Sequence, residues 1–297
     1  MKKMLFIMNP YSGQRKANKY LAEILELFNR GGYDIQVHMT AGPGDGANAV
    51  ARLCGGMDLV VCCGGDGTFN ETVSGLLRAG ADIPIGYIPA GSTNDFAAGL
   101  KLPTDILEAA RNILEGEPVS YDAGDFGGRF FSYVASFGAF TKASYTTPQS
   151  IKNALGHTAY VLESITELSQ LRKEHVRIDL ADEIVEDDFL FGAICNSTSL
   201  GGILMLDPEQ VDMSDGLLEI LLVRAPRNPL EIAECIQAVQ RQRYDDCAMI
   251  TFRSASCMEV FADPGMPWTL DGEREPGHER VTVRNNHLAY RLMQRRV

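Results

Sequence analysis

From Leu5 to about residue 117, apolar residues alternate between short continuous blocks and longer stretches in which they recur every three or four positions. Leu5–Met8 runs into Asn9-Pro10-Tyr11-Ser12-Gly13, after which Tyr20, Leu21, Ile24, Leu25, Leu27 and Phe28 share one helical face. The order is strand, polar loop, helix. Gly31-Gly32 stops that helix, Ile35–Met39 alternates as a second strand, and Gly42–Gly46 leads into a helix over Ala47–Leu53. Asp58–Cys63 reads as a buried strand ending at Gly64-Gly65-Asp66-Gly67-Thr68, with a helix over Phe69–Leu77. Ile85–Ile88 gives a fourth strand, Pro89–Asp95 a loop, Phe96–Gly99 a short helix, and Asp105–Leu114 a longer one stopped by Gly116. Strands and helices alternating at this length predict a doubly wound parallel α/β sheet through about residue 117.

The period then changes. Residues 118–140 alternate every second position around Gly127-Gly128, a two-residue hairpin signal that belongs to antiparallel structure. Strands follow at His175–Leu180, Phe189–Asn196, Leu217–Arg224, Met249–Phe252, Cys257–Phe261 and Arg280–Arg284, with helices at Ala159–Leu171 and Pro229–Arg241. Asp179–Asp188 holds six acids and reads as a solvated hairpin end. The expected organisation is an α/β domain over 1–117 and a β domain over 118–297, whose C-terminal tail packs back on the first.

Composition narrows the function. With 45% apolar and 22% charged residues among 297, the chain is neither disordered nor of low complexity. Its 27 basic against 39 acidic residues give a net charge of −12, which argues against a nucleic-acid backbone as the main partner. The seven cysteines are odd in number and show no two-residue spacing, so they read as reduced thiols of a cytoplasmic protein. No run of 18 apolar residues occurs, so no transmembrane segment is expected, and the apolar run after Lys3 is too short for a signal-peptide core.

The chemistry gathers in glycine-rich strand ends. Gly64-Gly65-Asp66-Gly67-Thr68-Phe69-Asn70-Glu71 places three glycines between strand and helix, where backbone amides and a helix N-terminus can close around a phosphate. The dinucleotide pattern fails because Asn70 stands where a glycine is needed, and no Gly-Lys-Ser/Thr sequence follows a glycine-rich run. Pro89-Ala90-Gly91-Ser92-Thr93-Asn94-Asp95-Phe96 is a second such loop, Asn9–Gly13 a third, and Thr40 ends the second strand. In a parallel sheet all four lie on the same carboxyl edge. Asn94 and Asp95 serve equally well as caps of the next helix.

GGDGTFNE, PAGSTNDFA, the preceding NPYSG and the downstream DGLLE and DGE together resemble the diacylglycerol-kinase catalytic domain, especially the soluble bacterial lipid kinases, over nearly the whole chain. The resemblance implies an NAD-kinase-like architecture with an ATP-binding α/β domain, a C-terminal β-sandwich, a cleft between them and phosphoryl transfer to a lipid hydroxyl. By similarity the nucleotide-contacting positions are Asn9, Pro10, Tyr11, Ser12, Gly13, Thr40, Gly64, Gly65, Asp66, Gly67, Thr68, Phe69, Asn70 and Ser92. The chain departs from the family at Gly91-Ser92, where Gly-Thr is usual; a hydroxyl is kept.

Asp212 and Asp215, three apart in a loop, can offer oxygen ligands to a hard cation, or simply form an Asp-Gly turn. The family resemblance implies a structural or regulatory Mg²⁺ at Asp212, Asp215 and Leu217. A catalytic Mg²⁺ would be bound mainly by the ATP phosphates, with Asp66 the best protein candidate for direct or water-mediated contact. Asp271-Gly272-Glu273 alone reads as a surface turn, whereas the resemblance makes Asp271 the acceptor of the substrate hydroxyl's proton, supported by Glu273. Phe130, Phe131, Tyr133, Phe137 and Phe140 suit a sandwich core better than an acyl-chain groove, and His157 and His175 read as surface histidines. Arg291, Arg295 and Arg296 offer a weak attraction for anionic lipid. The expected enzyme is a cytoplasmic, ATP- and Mg²⁺-dependent lipid kinase peripheral to the membrane, with a lipid substrate and room for a homodimer. The alternatives are an NAD-kinase-type enzyme and a non-catalytic nucleotide-binding regulator.

Overall fold

The computed structural model describes residues 1–13, 15–139, 172–200, 204–207, 209–241 and 243–295. They divide into two compact units, residues 1–123 with 286–297, and residues 124–285.

The first unit contains β1 (Lys2–Met8), α1 (Leu21–Arg30), β2 (Tyr33–Met39), α2 (Asp45–Leu53), β3 (Leu59–Gly64), α3 (Asp66–Ala79), β4 (Ile85–Pro89), α4 (Asp95–Gly99), α5 (Ile106–Glu115) and most of β5 (Glu117–Phe126). Its strands run parallel in the order β2-β1-β3-β4, as the alternating pattern predicts. Met4, Phe6, Met8, Val61, Cys63 and Ile88 pack against Ile24 and Phe28 of α1 and Ala109, Ala110 and Ile113 of α5. The interleaved side chains face an aromatic cluster in which Phe69 of α3 lies 4.4 Å from Phe96 and 4.7 Å from Tyr87, ring centre to ring centre.

Two helices begin earlier than their sequence periodicity indicates: α2 at Asp45 and α3 at Asp66. Glycine in a first turn lowers local helix propensity, so the hydrophobic pattern alone starts too late. The helix expected from Asp105 begins at Ile106, with Asp105 as its cap: the carboxylate accepts from the amides of Leu107 and Glu108.

The second unit holds β6 (Arg129–Phe131), β7 (Val134–Gly138), β8 (Glu174–Asp179), β9 (Ile184–Cys195), the short β10 (Ser199–Leu200) and β11 (Leu204–Met205), β12 (Leu218–Arg224), α6 (Pro229–Gln240), β13 (Ile250–Ala255), β14 (Cys257–Ala262), β15 (Trp268–Leu270), β16 (Glu273–Glu275) and the start of β17 (Arg280–Gln294). It is an antiparallel β-sandwich, ordered β16-β15-β7-β9-β8-β14-β17, with β12 pairing both β9 and β13. Gly127 and Gly128, at φ +60° and +97°, form the two-residue hairpin turn between β5 and β6. Fully buried Trp268 packs between Phe126 and Phe137 at 4.8 and 4.9 Å. Phe131, Tyr133 and Phe137 are likewise buried, so these aromatics build core. Phe140, His157 and the helix expected over 159–171 lie outside the described residues.

β17 corrects one expectation: it does not end at Arg284 but runs on to Gln294, past Asn285-Asn286-His287 where the apolar alternation lapses, and pairs β5 as well as β14. Its end pairs Leu292 with Ile85 inside the first unit. Arg291 binds the Asp82 carboxylate at 2.9 Å and Arg295 that of Glu115 at 2.7 Å, so both arginines are paired with acids of the protein. His175 is exposed and paired with Asp188 and Glu186. All seven cysteines are free thiols, five of them buried. No described helix is long and apolar enough to cross a membrane.

Two outcomes test this packing. Phe69→Ala is expected to lower unfolding stability by about 3–5 kcal/mol, since a fully buried ring is lost; denaturant titration showing under about 1 kcal/mol would contradict the cluster. Glu231 is held at about 2, well below its ordinary 4.5, by Arg224 and then by the Arg227 amide. A depressed acid contributes stability in full above pH 4.5 and loses it as pH falls toward 2. Glu231→Gln should therefore flatten the stability-versus-pH curve across that window and leave its shape above pH 5 unchanged.

Candidate active site

Three loops at the carboxyl ends of β1, β3 and β4 touch through their backbones. The ladder continues past the strands: Asn9 N donates to Cys63 O at 3.0 Å and Ala90 N to Gly64 O at 2.7 Å. A Cβ on Gly91 would stand 2.6 Å from Gly65 Cα, and one on Gly13 2.6 Å from Ala90 O. Only glycine permits both approaches; Gly13 also sits at φ +52°. The side chain of Asn9 spans the cluster, its Nδ2 donating to Thr68 Oγ1 at 3.3 Å and its Oδ1 accepting from Tyr11 N at 3.0 Å.

The helix that leaves this junction, α3, has Gly65 at its N-cap, which has no side chain to accept from the first-turn amides. A helix of 14 residues with its positive end at a glycine-lined surface is an anion-binding arrangement.

The motif's acids cap neighbouring helices. The Asp66 carboxylate accepts from Asp95 N at 3.1 Å and Phe96 N at 3.2 Å, the opening amides of α4. That of Glu71 accepts from Gly44 N at 2.6 Å and Gly46 N at 2.8 Å, which explains the early start of α2. Asn94 ties its own loop, accepting from Gly91 N and donating to Gly91 O. Asp66 thus anchors the second glycine loop to the first, with its oxygens directed at amides.

Strand order brings Asn9–Gly13, Gly64–Asn70 and Ser92 to one edge, and Thr40 joins them through its amide bond to Met8 O at 2.8 Å. Ser92 and Tyr11 are exposed, with the Arg15 guanidinium 5.2 Å from the Tyr11 ring centre. Phe69 differs in kind: its ring is wholly inside the core and its amide donates to Gly65 O, so it shapes the loop from beneath. The Asn70 carboxamide accepts from Ser74 Oγ at 3.3 Å.

In the second unit, Asp271 and Gly272 take φ +48° and +83° in the tight turn joining β15 to β16. This is not a solvated surface turn, because Asp271 is only 3% exposed. Its Oδ2 accepts from Ser132 N at 2.6 Å, and its Oδ1 from Tyr133 N at 3.1 Å and Val134 N at 3.0 Å. Three successive amides form an anion nest that fixes the carboxylate in a single orientation.

Asp212, Asp215 and Leu217 share one turn before β12. Asp212 Oδ1 accepts from Ser214 N and Oγ, Asp215 Oδ1 from Leu217 N at 2.8 Å, and Leu217 O from Asn285 Nδ2 at 2.7 Å. Both carboxylates are exposed and the donor set is all oxygen, which suits Mg²⁺ in kind. Among the described residues no three His, Cys, Asp or Glu side chains gather as a metal site, so an ion here would rely on carbonyls and waters.

Sequence reasoning missed that Asp66 and Glu71 cap helices other than their own, and missed the contribution of Arg129, whose guanidinium binds Glu273 at 2.9 Å and Glu275 at 2.6 Å. The spacing of GGDGTFNE holds a faint signal for the first two: acids within a helix's opening turns, where a neighbouring helix can also use them. Nothing near Arg129 in sequence points 144 residues ahead.

Comparison with known proteins follows the same division. The family described as "Diacylglycerol kinase catalytic domain" matches residues 3–126, and the "YegS C-terminal NAD kinase beta sandwich-like domain" matches residues 134–289. A diacylglycerol kinase of Bacillus subtilis (strain 168) is 31% identical over 275 residues, 92% of this chain and 90% of the relative. One from Staphylococcus carnosus (strain TM300) is 29% identical over 273 residues, 92% of this chain and 89% of that one. The crystal structure of a diacylglycerol kinase from Bacillus anthracis str. Sterne shares the fold at TM-score 0.73 and 21% identity, covering 99% of this chain and 97% of its own. A second structure from that organism reaches TM-score 0.80 at 24% identity, covering 99% and 95%.

The loop junction makes a prediction. Gly91→Ala forces a methyl against the Gly65 backbone and is expected to cost about 1–3 kcal/mol, whereas Gly55→Ala, with nothing within 4 Å, should stay within about 0.5 kcal/mol. Equal stabilities in a denaturant titration would show that the loops do not touch.

Proposed function

This chain belongs to the diacylglycerol-kinase catalytic family, phosphotransferases with an alcohol acceptor and lipid kinases by kind, and from that premise we propose that it transfers the γ-phosphoryl group of ATP to a hydroxyl of diacylglycerol or a related lipid at a membrane surface. The observation that carries the ATP reading is the side-chain-free junction of Gly13, Gly65 and Gly91 at the N-terminus of α3. A phosphate chain can approach amides closely only where no Cβ intervenes. Asn9–Gly13, Thr40, Gly64–Asn70 and Ser92 supply the surroundings, Phe69 through its buried ring.

Asp271 is the proton acceptor in this reading. Phosphoryl transfer passes through a loose transition state, so the nucleophilic oxygen needs aim more than early deprotonation. A carboxylate held by three amides supplies aim: it accepts the hydrogen bond of the attacking hydroxyl along one direction and takes the proton as the new P–O bond forms. Mg²⁺, when bound, neutralises charge on the phosphates. That charge balance matters because Asp66 brings an acid into the loop cluster. Asp212, Asp215 and Leu217 would hold a further, structural Mg²⁺ through loop oxygens.

The acceptor is identified by incubating the protein with labelled ATP, Mg²⁺ and, in turn, diacylglycerol, phosphatidylglycerol, a polyprenol and a sphingoid base; label in none of the four overturns the reading. Asp271→Asn should keep ATP affinity within about threefold while lowering transfer by roughly a hundredfold or more, because a proton acceptor acts in the transition state. Turnover near that of the parent would remove Asp271 from its role.

A further inference from the structure

We propose that Arg129 is a positioning residue for transfer, fixing the hairpin that carries Asp271 and Glu273; this rests on the lipid-kinase reading above. One guanidinium reaches three consecutive residues of β16: Nη2 donates to Glu273 Oε2 at 2.9 Å, and Nη1 to Arg274 O at 3.2 Å and Glu275 Oε2 at 2.6 Å. Arg129 opens β6, and the residues that follow it supply the amide nest of Asp271. The clasp is therefore reciprocal. Asp271 reaches from the hairpin into the β6–β7 connection, while Arg129 reaches from the start of β6 back to the hairpin.

Each half constrains what the other leaves free. The amide nest orients Asp271 and β7 holds β15, but β16 stands at the end of the sheet and pairs β15 over only three residues, so the ladder alone fixes its twist weakly. A planar fork on two carboxylates and a carbonyl sets the hairpin's angle and directs Glu273, two residues beyond Asp271. Glu275 is tied on its far side by His278 Nε2 at 3.1 Å, and the His278 ring lies edge-on to Phe126 at 5.7 Å, which connects the clasp to the sandwich core. Lysine, a point charge with no fork, can serve one of these carboxylates at a time.

The test compares Arg129→Met, Arg129→Lys and, as a control for loss of an exposed ion pair in the same unit, Arg280→Met, whose parent arginine binds Glu259. Steady-state kinetics use ATP and dioleoylglycerol in detergent micelles, or the best acceptor of the four-lipid screen. Arg129→Met should lower kcat about tenfold or more with both KM values within about threefold, since misaiming affects the transition state rather than binding. Arg129→Lys should recover part of the loss, and Arg280→Met should match the parent. Amide exchange over residues 132–134 should accelerate in Arg129→Met alone. A kcat within twofold of the parent, an equal fall in Arg280→Met, or a raised KM at unchanged kcat each overturns the proposal. Should the parent itself transfer no phosphate, the lipid-kinase reading falls, and unchanged exchange in Arg129→Met would separately dismiss the clasp. If Arg129→Met does not fold, the Lys variant decides: parental kcat and exchange overturn the assignment, and intermediate values support it.

Discussion

The first unit's candidate site depends on backbones approaching where any side chain would keep them apart. Gly65 and Gly91 lie so close that a single Cβ would stand 2.6 Å from the opposing Cα, and Gly13 is pressed as closely on Ala90. This contact determines what the surface can do. It presents amides and a helix N-terminus without covering atoms, so an anion can meet several dipoles at once. The junction is kept in shape from beneath by Phe69, whose ring stacks on Phe96 at the start of α4, and from the side by Asp66.

Acidic residues in these motifs do more structural work than their chemistry alone indicates. Asp66 and Glu71 are the third and eighth residues of the same phosphate-type motif, and each spends its carboxylate on the opening amides of another helix. Asp271 follows the same rule on β structure, with amides from a connection 137 to 139 residues earlier in the chain. In each case N–H donors satisfy a negative group, which offsets the cost of taking it out of water. It also fixes the carboxylate's direction, the property that a proton acceptor in a loose transition state requires.

Legibility followed sequence separation. The parallel sheet and the Gly127-Gly128 hairpin came from patterns completed within about a dozen residues, and the loop residues at strand ends were found because parallel strands deliver them to one edge. The starts of α2 and α3 were placed late because glycine depresses local propensity, while Glu71 stabilises the first turn of α2 from 25 residues away. The far half of β17 was missed for a related reason: its polar residues meet distant partners such as Asp122, whose carboxylate lies 3.1 Å from His287 Nδ1 across 165 positions.

The residues themselves, read in order, determined the type of most of the longer elements, the two kinds of sheet and the family to which the chain belongs, since periodicity and glycine placement act over short range. Only the tertiary structure decided that the Asp271 turn is buried in an amide nest, that Phe69 belongs to the core, that Arg291 and Arg295 answer acids of the protein, and that Arg129 grips β16. Those outcomes are set by hydrogen bonds and ion pairs between distant segments, whose partners no local pattern encodes.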